Sequence, residues 1–224
     1  MRGLFVTATG TGAGKTTVTA ALAGALRLAG RDVVALKPIE TGVGAFAADA
    51  RLLAEACGHP AVERDPRWYR ARAPLSPHAA QLEGEAAIDL AAVAAAVREL
   101  VADRLALVEG AGELLVPLDS RTTIADLARE LALPLLLVAP NRLGTLSEVL
   151  TAAESADRRG LHLAAIVLSH PSAAPPDDSA RTNADVLRAH LPTTTRVVRL
   201  AHGRITADSI AGLLALVQGL SQNR

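Results

Sequence analysis

The sequence predicts an α/β fold: a doubly wound, mostly parallel sheet with helices on both faces, in a single domain over residues 1–224. Three observations predict it. Short apolar runs alternate with stretches of helical periodicity, which implies right-handed strand–helix–strand crossovers. Those runs carry polar residues mainly at their ends, as strands buried on both faces of a parallel sheet do. Half of the residues are hydrophobic but only 2% are aromatic, so the core has to be built from Ala, Val, Leu and Ile. A chain of this length buries about 70% of its unfolded surface as one domain.

In order, strands are expected at 4–7, 33–36, 105–108, 135–138, 164–168 and 196–200, each a short aliphatic run. Helices are expected at 16–29, 47–57, 90–101, 124–131, 146–158, 180–190 and 207–216. Gly30 follows the first helix and Gly160 the fifth, where a left-handed C-terminal cap belongs. The Pro-rich, charged stretches 59–81 and 171–178 read as loops. In open sheets of this kind, ligands gather beyond the carboxyl ends of the strands, so the polar residues just after each strand carry the functional argument.

The first such segment is the most specific. Leu4-Phe5-Val6 leads into Gly10-Thr11-Gly12-Ala13-Gly14-Lys15-Thr16, a glycine-rich turn between a strand and a helix. The backbone N–H groups of such a turn converge on an anion, and the helix adds the positive end of its dipole. Lys15 reaches a terminal phosphate and the Thr16 hydroxyl suits Mg2+. The spacing is irregular, because Gly10 leaves three residues rather than four before Gly14-Lys15. Strand, glycines, Lys, Thr and helix nevertheless occur in the order of a phosphate-binding loop (P-loop), which makes the fold P-loop NTPase-like and the ligand a nucleoside triphosphate.

Lys37 follows the second strand and offers a second ammonium where phosphoryl transfer builds negative charge; the competing account is a solvated lysine before a turn. Thr41 offers a hydroxyl to the same cleft. Glu109 ends a fully apolar strand, where a lone carboxylate is expensive unless it is paired or bound to a cation. Either Mg2+ shared with Thr16 or an ion pair to Lys15 or Lys37 meets that cost. Gly110, Ala111 and Gly112 then let a ligand approach the backbone. Asp49, at the start of the second helix, is either a helix cap or a third oxygen ligand for the metal. Ser76-Pro77-His78 has no chemical role legible from its residues.

Lys plus Arg and Asp plus Glu both total 23, so no net field recruits nucleic acid or an anionic membrane. Cys57, the single cysteine, cannot form an internal disulfide and reads as a small core residue. No secretory leader is apparent and no apolar run nears the ~20 residues of a membrane span, so the chain reads as cytoplasmic.

Together the motifs resemble the dethiobiotin synthetase family over residues 4 to about 170: the P-loop, Lys37-Pro38 with Thr41-Gly42, Ser76-Pro77-His78, Val108-Glu109-Gly110-Ala111-Gly112, and Leu143-Gly144-Thr145. The resemblance implies closure of the ureido ring of dethiobiotin from 7,8-diaminononanoate and CO2, with ATP as co-substrate and Mg2+ as cofactor. It implies that Lys15 and Lys37 stabilise the transferring phosphoryl group, with Thr11 alongside them. Thr11 and Thr41 would contact the carbamate or diamine, and Thr16, Asp49 and Glu109 would organise Mg2+. The nucleotide would lie along Gly12, Ala13, Gly14, Lys15, Thr16 and Thr17, beside Asp49 and Glu109 to Gly112. Ser169, His170, Val198, Arg199 and Leu200 would stand near its base. Similar enzymes are homodimers in which the loop holding Gly144, Thr145 and Ser147 receives the substrate's carboxylate tail across the interface.

The chain departs from the family pattern at several points. Ser147 replaces a nearby Asn, Ala8 replaces a Gly, Gly12 replaces the Glu of some members and Glu113 follows Gly112 in place of a Gly. Ser169-His170 replaces an Asn-Asp pair that often reads adenine, which leaves the preferred base open. The chief alternative function is a partition-type regulatory ATPase acting through a protein partner, although Gly10 stands where its extra loop lysine belongs. No Asn-Lys-x-Asp string marks a GTPase.

Overall fold

The computed structural model describes residues 1–171 and 175–200, with Ala211, Leu214 and Ala215 beyond them. Its strands are β1 (Arg2–Ala8), β2 (Val33–Leu36), β3 (Ile39–Thr41), β4 (Tyr69–Ala71), β5 (Leu105–Glu109), β6 (Leu135–Pro140), β7 (Leu163–Ser169) and β8 (Arg196–Arg199). Its α-helices are α1 (Lys15–Leu28), α2 (Ala48–Cys57), α3 (Pro77–Leu82), α4 (Leu90–Val101), α5 (Ile124–Leu131), α6 (Thr145–Asp157) and α7 (Asn183–His190). Six strands form one sheet in the order β2-β5-β1-β6-β7-β8, every pair parallel. The doubly wound architecture read from the sequence is therefore the one observed.

The strand pleat sorts the core into two layers. Leu4, Val6 and Ala8 of β1 face α1 and α2, where Val18, Leu22, Leu26 and Leu53 complete an aliphatic layer. Phe5 points the other way, into a layer with Val93 and Val97 of α4, Leu127 of α5 and Leu187 of α7. Alternation along each strand thus buries both faces, which is why the strands read as unbroken apolar runs. β1 sits centrally, and its neighbour β5 approaches so closely that a Cβ on Gly3 would lie 1.9 Å from the Ala106 carbonyl oxygen. With φ at +146° as well, that position admits only glycine.

Two corrections concern the segments read as coil. β3 and β4 form a separate two-stranded parallel sheet, Glu40 opposite Arg70, although neither strand was expected. Each has only three residues and a charged one at its centre, so no apolar run announces it. The stretch 59–81 also holds a 3-10 turn (Pro60–Arg64) and α3, and the indole of Trp68 is anchored to the Val62 carbonyl at 2.7 Å. The helix expected over 180–190 divides into a 3-10 turn (Asp178–Arg181) and α7. Of the helix expected at 207–216, only Ala211, Leu214 and Ala215 fall within the described residues, and all three are helical. Cys57 is buried at the end of α2, as a core residue should be.

Candidate active site

The central position of β1 sets the site. Its carboxyl end delivers the P-loop between the ends of β5 and β6, where residues after both can reach it. Thr9 N–H donates to the Val138 carbonyl at 3.1 Å, and Gly14, at φ +90°, turns the chain into α1. The Ser169 hydroxyl, 3% exposed at the end of β7, donates to the Ala13 carbonyl at 2.6 Å. This contact stitches the P-loop to the sheet.

Three elements bring their charges to one point. Glu109, fully buried at the end of β5, accepts from the Thr16 hydroxyl at 2.8 Å and from the Lys37 ammonium at 2.8 Å, both on Oε1. Lys37 also donates to Asp49 Oδ2, from the first turn of α2. Glu109 Oε2 is buried with no hydrogen-bond partner among the described residues. Burial pulls the Lys37 ammonium down. The charge of Glu109 and the hydrogen bonds accepted by Asp49 and Glu109 outweigh that, and hold its proton above the ordinary lysine range. Lys15, equally buried, lacks such close acceptors, so burial lowers its pKa below the ordinary value even with Glu109 nearby. The two lysines differ because one is directly hydrogen-bonded to carboxylates and the other faces the loop.

A cavity of about 650 Å³ opens beside these groups. Thr11, Gly12, Gly14, Lys15, Thr16 and Thr17 line it from the P-loop, and Lys37, Asp49 and Gly112 from the opposite rim. Ser169, His170 and Leu200 line it as well. Ala13 and Ala111 are buried and Gly110 leaves no room for a side chain beside Ile124 and Phe5, and none of the three is among the residues that line the cavity. Thr11 reaches Glu113 at 3.4 Å. Val198 pairs with Val167 in β8, and the Arg199 guanidinium donates to the Arg181 carbonyl. Thr41 sits in β3 and is not among the residues that line this cavity.

The start of α6 forms a separate cluster. Gly144, at φ +94°, caps it; the Thr145 hydroxyl is buried with no partner among the described residues, and Ser147 is exposed. Glu148 joins the cluster to the P-loop, accepting from Thr9 at 3.2 Å and from Arg142 at 2.7 Å. Arg142 is thus committed to an ion pair within its own loop.

Asp49 does not cap α2. The N-cap of α2 is Ala47, which has no side chain to serve, and the first-turn N–H groups of Asp49 and Ala50 instead donate to the Glu40 carboxylate at 3.1 and 3.0 Å. Asp49 is therefore free to point at Lys37. Sequence reasoning passed over Glu40, whose only signal was a charged residue between Lys37 and Gly42. Ser76 caps α3 with Pro77 at its first position, so the Ser-Pro-His segment has a structural role.

The donor set fits a hard divalent cation: a hydroxyl and two carboxylates, one of which, Glu109, keeps a buried oxygen with no partner among the described residues. Among the described residues no cluster of three His, Cys, Asp or Glu exists, so any such ion depends on phosphate oxygens and water for the rest of its shell.

Comparisons with known proteins identify the family. A family model described as an AAA domain matches residues 2–202. The ATP-dependent dethiobiotin synthetase BioD of Anaeromyxobacter dehalogenans (strain 2CP-C) is 47% identical over 180 residues, 80% of each chain. The protein of the same name from Caulobacter vibrioides (strain NA1000 / CB15N) is 40% identical over 221 residues, 96% of this chain and 99% of its own. Chloroplast FtsY from Physcomitrella patens is similar in fold, with a TM-score of 0.52 at 20% identity, covering 95% of this chain and 66% of that one. With such identity along almost its whole length, the chain belongs to the dethiobiotin synthetase family of ATP-dependent ligases that form carbon–nitrogen bonds.

Proposed function

We propose that the chain closes the ureido ring of dethiobiotin, with the phosphoryl group transferred in the cavity between Lys15, Lys37 and Glu109. One amine of 7,8-diaminononanoate takes up CO2 as a carbamate and loses a proton. A carbamate oxygen attacks the γ-phosphorus of ATP, releasing ADP, and the second amine then attacks the carbamoyl carbon with loss of phosphate and a proton. Both reacting centres belong to one substrate, so orientation and charge neutralisation are the main requirements. No covalent enzyme intermediate is needed.

The observation that carries this reading is the convergence of Thr16 and Lys37 on the fully buried Glu109, with Asp49 meeting the same Lys37 ammonium. Lys15 and Lys37 meet the charge that builds on the transferring group, and Thr11 holds its oxygens from the loop. Thr16, Asp49 and Glu109 would hold Mg2+, which would neutralise charge on the phosphate oxygens. The nucleotide base lies toward His170 and Leu200. Ser169, whose hydroxyl is committed to Ala13, supports the loop more readily than it reads a base. The diamine's carboxylate tail goes to Gly144, Thr145 and Ser147 of a second copy in a cytoplasmic homodimer, and Thr41 contacts the substrate near Lys37. The regulatory-ATPase alternative gives no reason for a second buried lysine on the site.

The test is phosphate release by the purified protein with each component omitted in turn. Turnover should require the diamine and bicarbonate together, and Lys37→Ala should reduce it by about 10²-fold or more while the circular-dichroism spectrum is unchanged. Equal hydrolysis with and without diamine would refute the synthetase reading in favour of the regulatory one.

A further inference from the structure

A helix start is ordinarily capped by a Ser, Thr, Asp or Asn at its own N-cap. At α2 that position is Ala47, in an extended conformation, and the cap arrives from outside the helix. Glu40, in the middle of β3 and three residues beyond Lys37, places one carboxylate oxygen on Asp49 N–H and the other on Ala50 N–H. Its side chain is only 7% exposed, and in the parallel β3–β4 pair it stands opposite Arg70, whose guanidinium donates to the Pro38 and Tyr69 carbonyls. A charge buried at this depth is held by specific partners, here two helix N–H groups, with the Arg70 charge close enough to be felt.

A cap anywhere on the first turn would serve the stability of the helix. This one grips the backbone of Asp49, the residue whose side chain meets Lys37. Two bonds to successive N–H groups fix both the height and the rotation of that turn. We infer that Glu40 is a positioning residue: through the backbone of Asp49 it holds the Asp49 carboxylate against Lys37 at the rim of the phosphate site. The small β3–β4 sheet, which lines no part of the cavity described, is then the brace from which the site's third element is set. The inference rests on the proposed role of Asp49 and Lys37.

A double-mutant cycle tests it, with Glu40→Ala, Glu40→Gln, Asp49→Ala and Glu40→Ala combined with Asp49→Ala. The readouts are kcat, the diamine KM, thermal unfolding, and Mn2+ affinity measured by electron paramagnetic resonance with ADP and no turnover. Glu40→Ala should lower kcat and Mn2+ affinity about 10-fold each, with diamine KM within about 2-fold, as expected when a residue supporting a ligand is lost. Glu40→Gln, which keeps one acceptor oxygen, should recover part of both. In the Asp49→Ala background, Glu40→Ala should change neither further.

The inference is overturned if the losses multiply in the double variant, or if Glu40→Ala shifts only the unfolding temperature. Should Glu40→Ala not fold, Glu40→Gln carries the same cycle. If Asp49→Ala alone leaves kcat and Mn2+ affinity intact, the reading of Asp49 fails and the inference falls with it. If Asp49→Ala is damaging but the effects multiply, only the role given to Glu40 is lost.

Discussion

Burial treats the two lysines of the site alike, and their partners separate them. Lys37 has Glu109 and Asp49 within hydrogen-bonding reach, whereas Lys15 has neither so near. On the alkaline side, Lys15 therefore releases its proton first, at a pH below the ordinary 10.5, while Lys37 stays charged above that value. Binding of a fluorescent ADP analogue, followed against pH, should weaken along a limb below 10.5, and Lys15→Arg should remove that limb. A limb unchanged in Lys15→Arg would assign the titration elsewhere. Lys15 and Thr16 were legible from the order of the P-loop, Lys37 because it follows a strand beside that loop, and Glu109 because a carboxylate ending an apolar strand is costly unless partnered. Asp49 was half legible, since an acid at a helix start serves as a cap as well as a ligand. Glu40 was not legible, because its cap spans two elements and leaves no local pattern.

Among the elements, the central strands and most helices were readable because aliphatic alternation and helical periodicity are strong where both sheet faces are covered. β3 and β4 escaped for the opposite reason: they are short, charged at the centre and paired only with each other. The approach of β1 to β5 yields a stability prediction. Gly3→Ala should destabilise the fold by about 3 kcal/mol, from a backbone conformation unsuited to a side chain and a direct clash with the Ala106 carbonyl. Urea unfolding followed by far-ultraviolet circular dichroism measures it, and a loss under about 1 kcal/mol would mean that β1 shifts to make room.

At the scale of the whole molecule, equal totals of 23 acidic and 23 basic residues leave recognition to local geometry rather than to a long-range field. No helix among the described residues is long and apolar enough to cross a membrane. The proposed homodimer places the loop before α6 at the contact, and Leu143, 78% exposed there, is the residue to change. Sedimentation equilibrium should return the mass of two chains. Leu143→Glu should loosen the pair and raise the diamine KM several-fold, about 1 kcal/mol of lost contact, with nucleotide affinity unaltered. A monomeric parent chain with full activity would remove the shared-site proposal.

The bond from Ser169 to the Ala13 carbonyl has a thermodynamic corollary. A phosphate cradle already riveted to a neighbouring strand surrenders little freedom when a guest arrives, so the entropic toll of ordering it has been met during folding. Selectivity in such a receptacle comes from shape and charge fitting a rigid mould, and a guest that does not match gains nothing by induced remodelling.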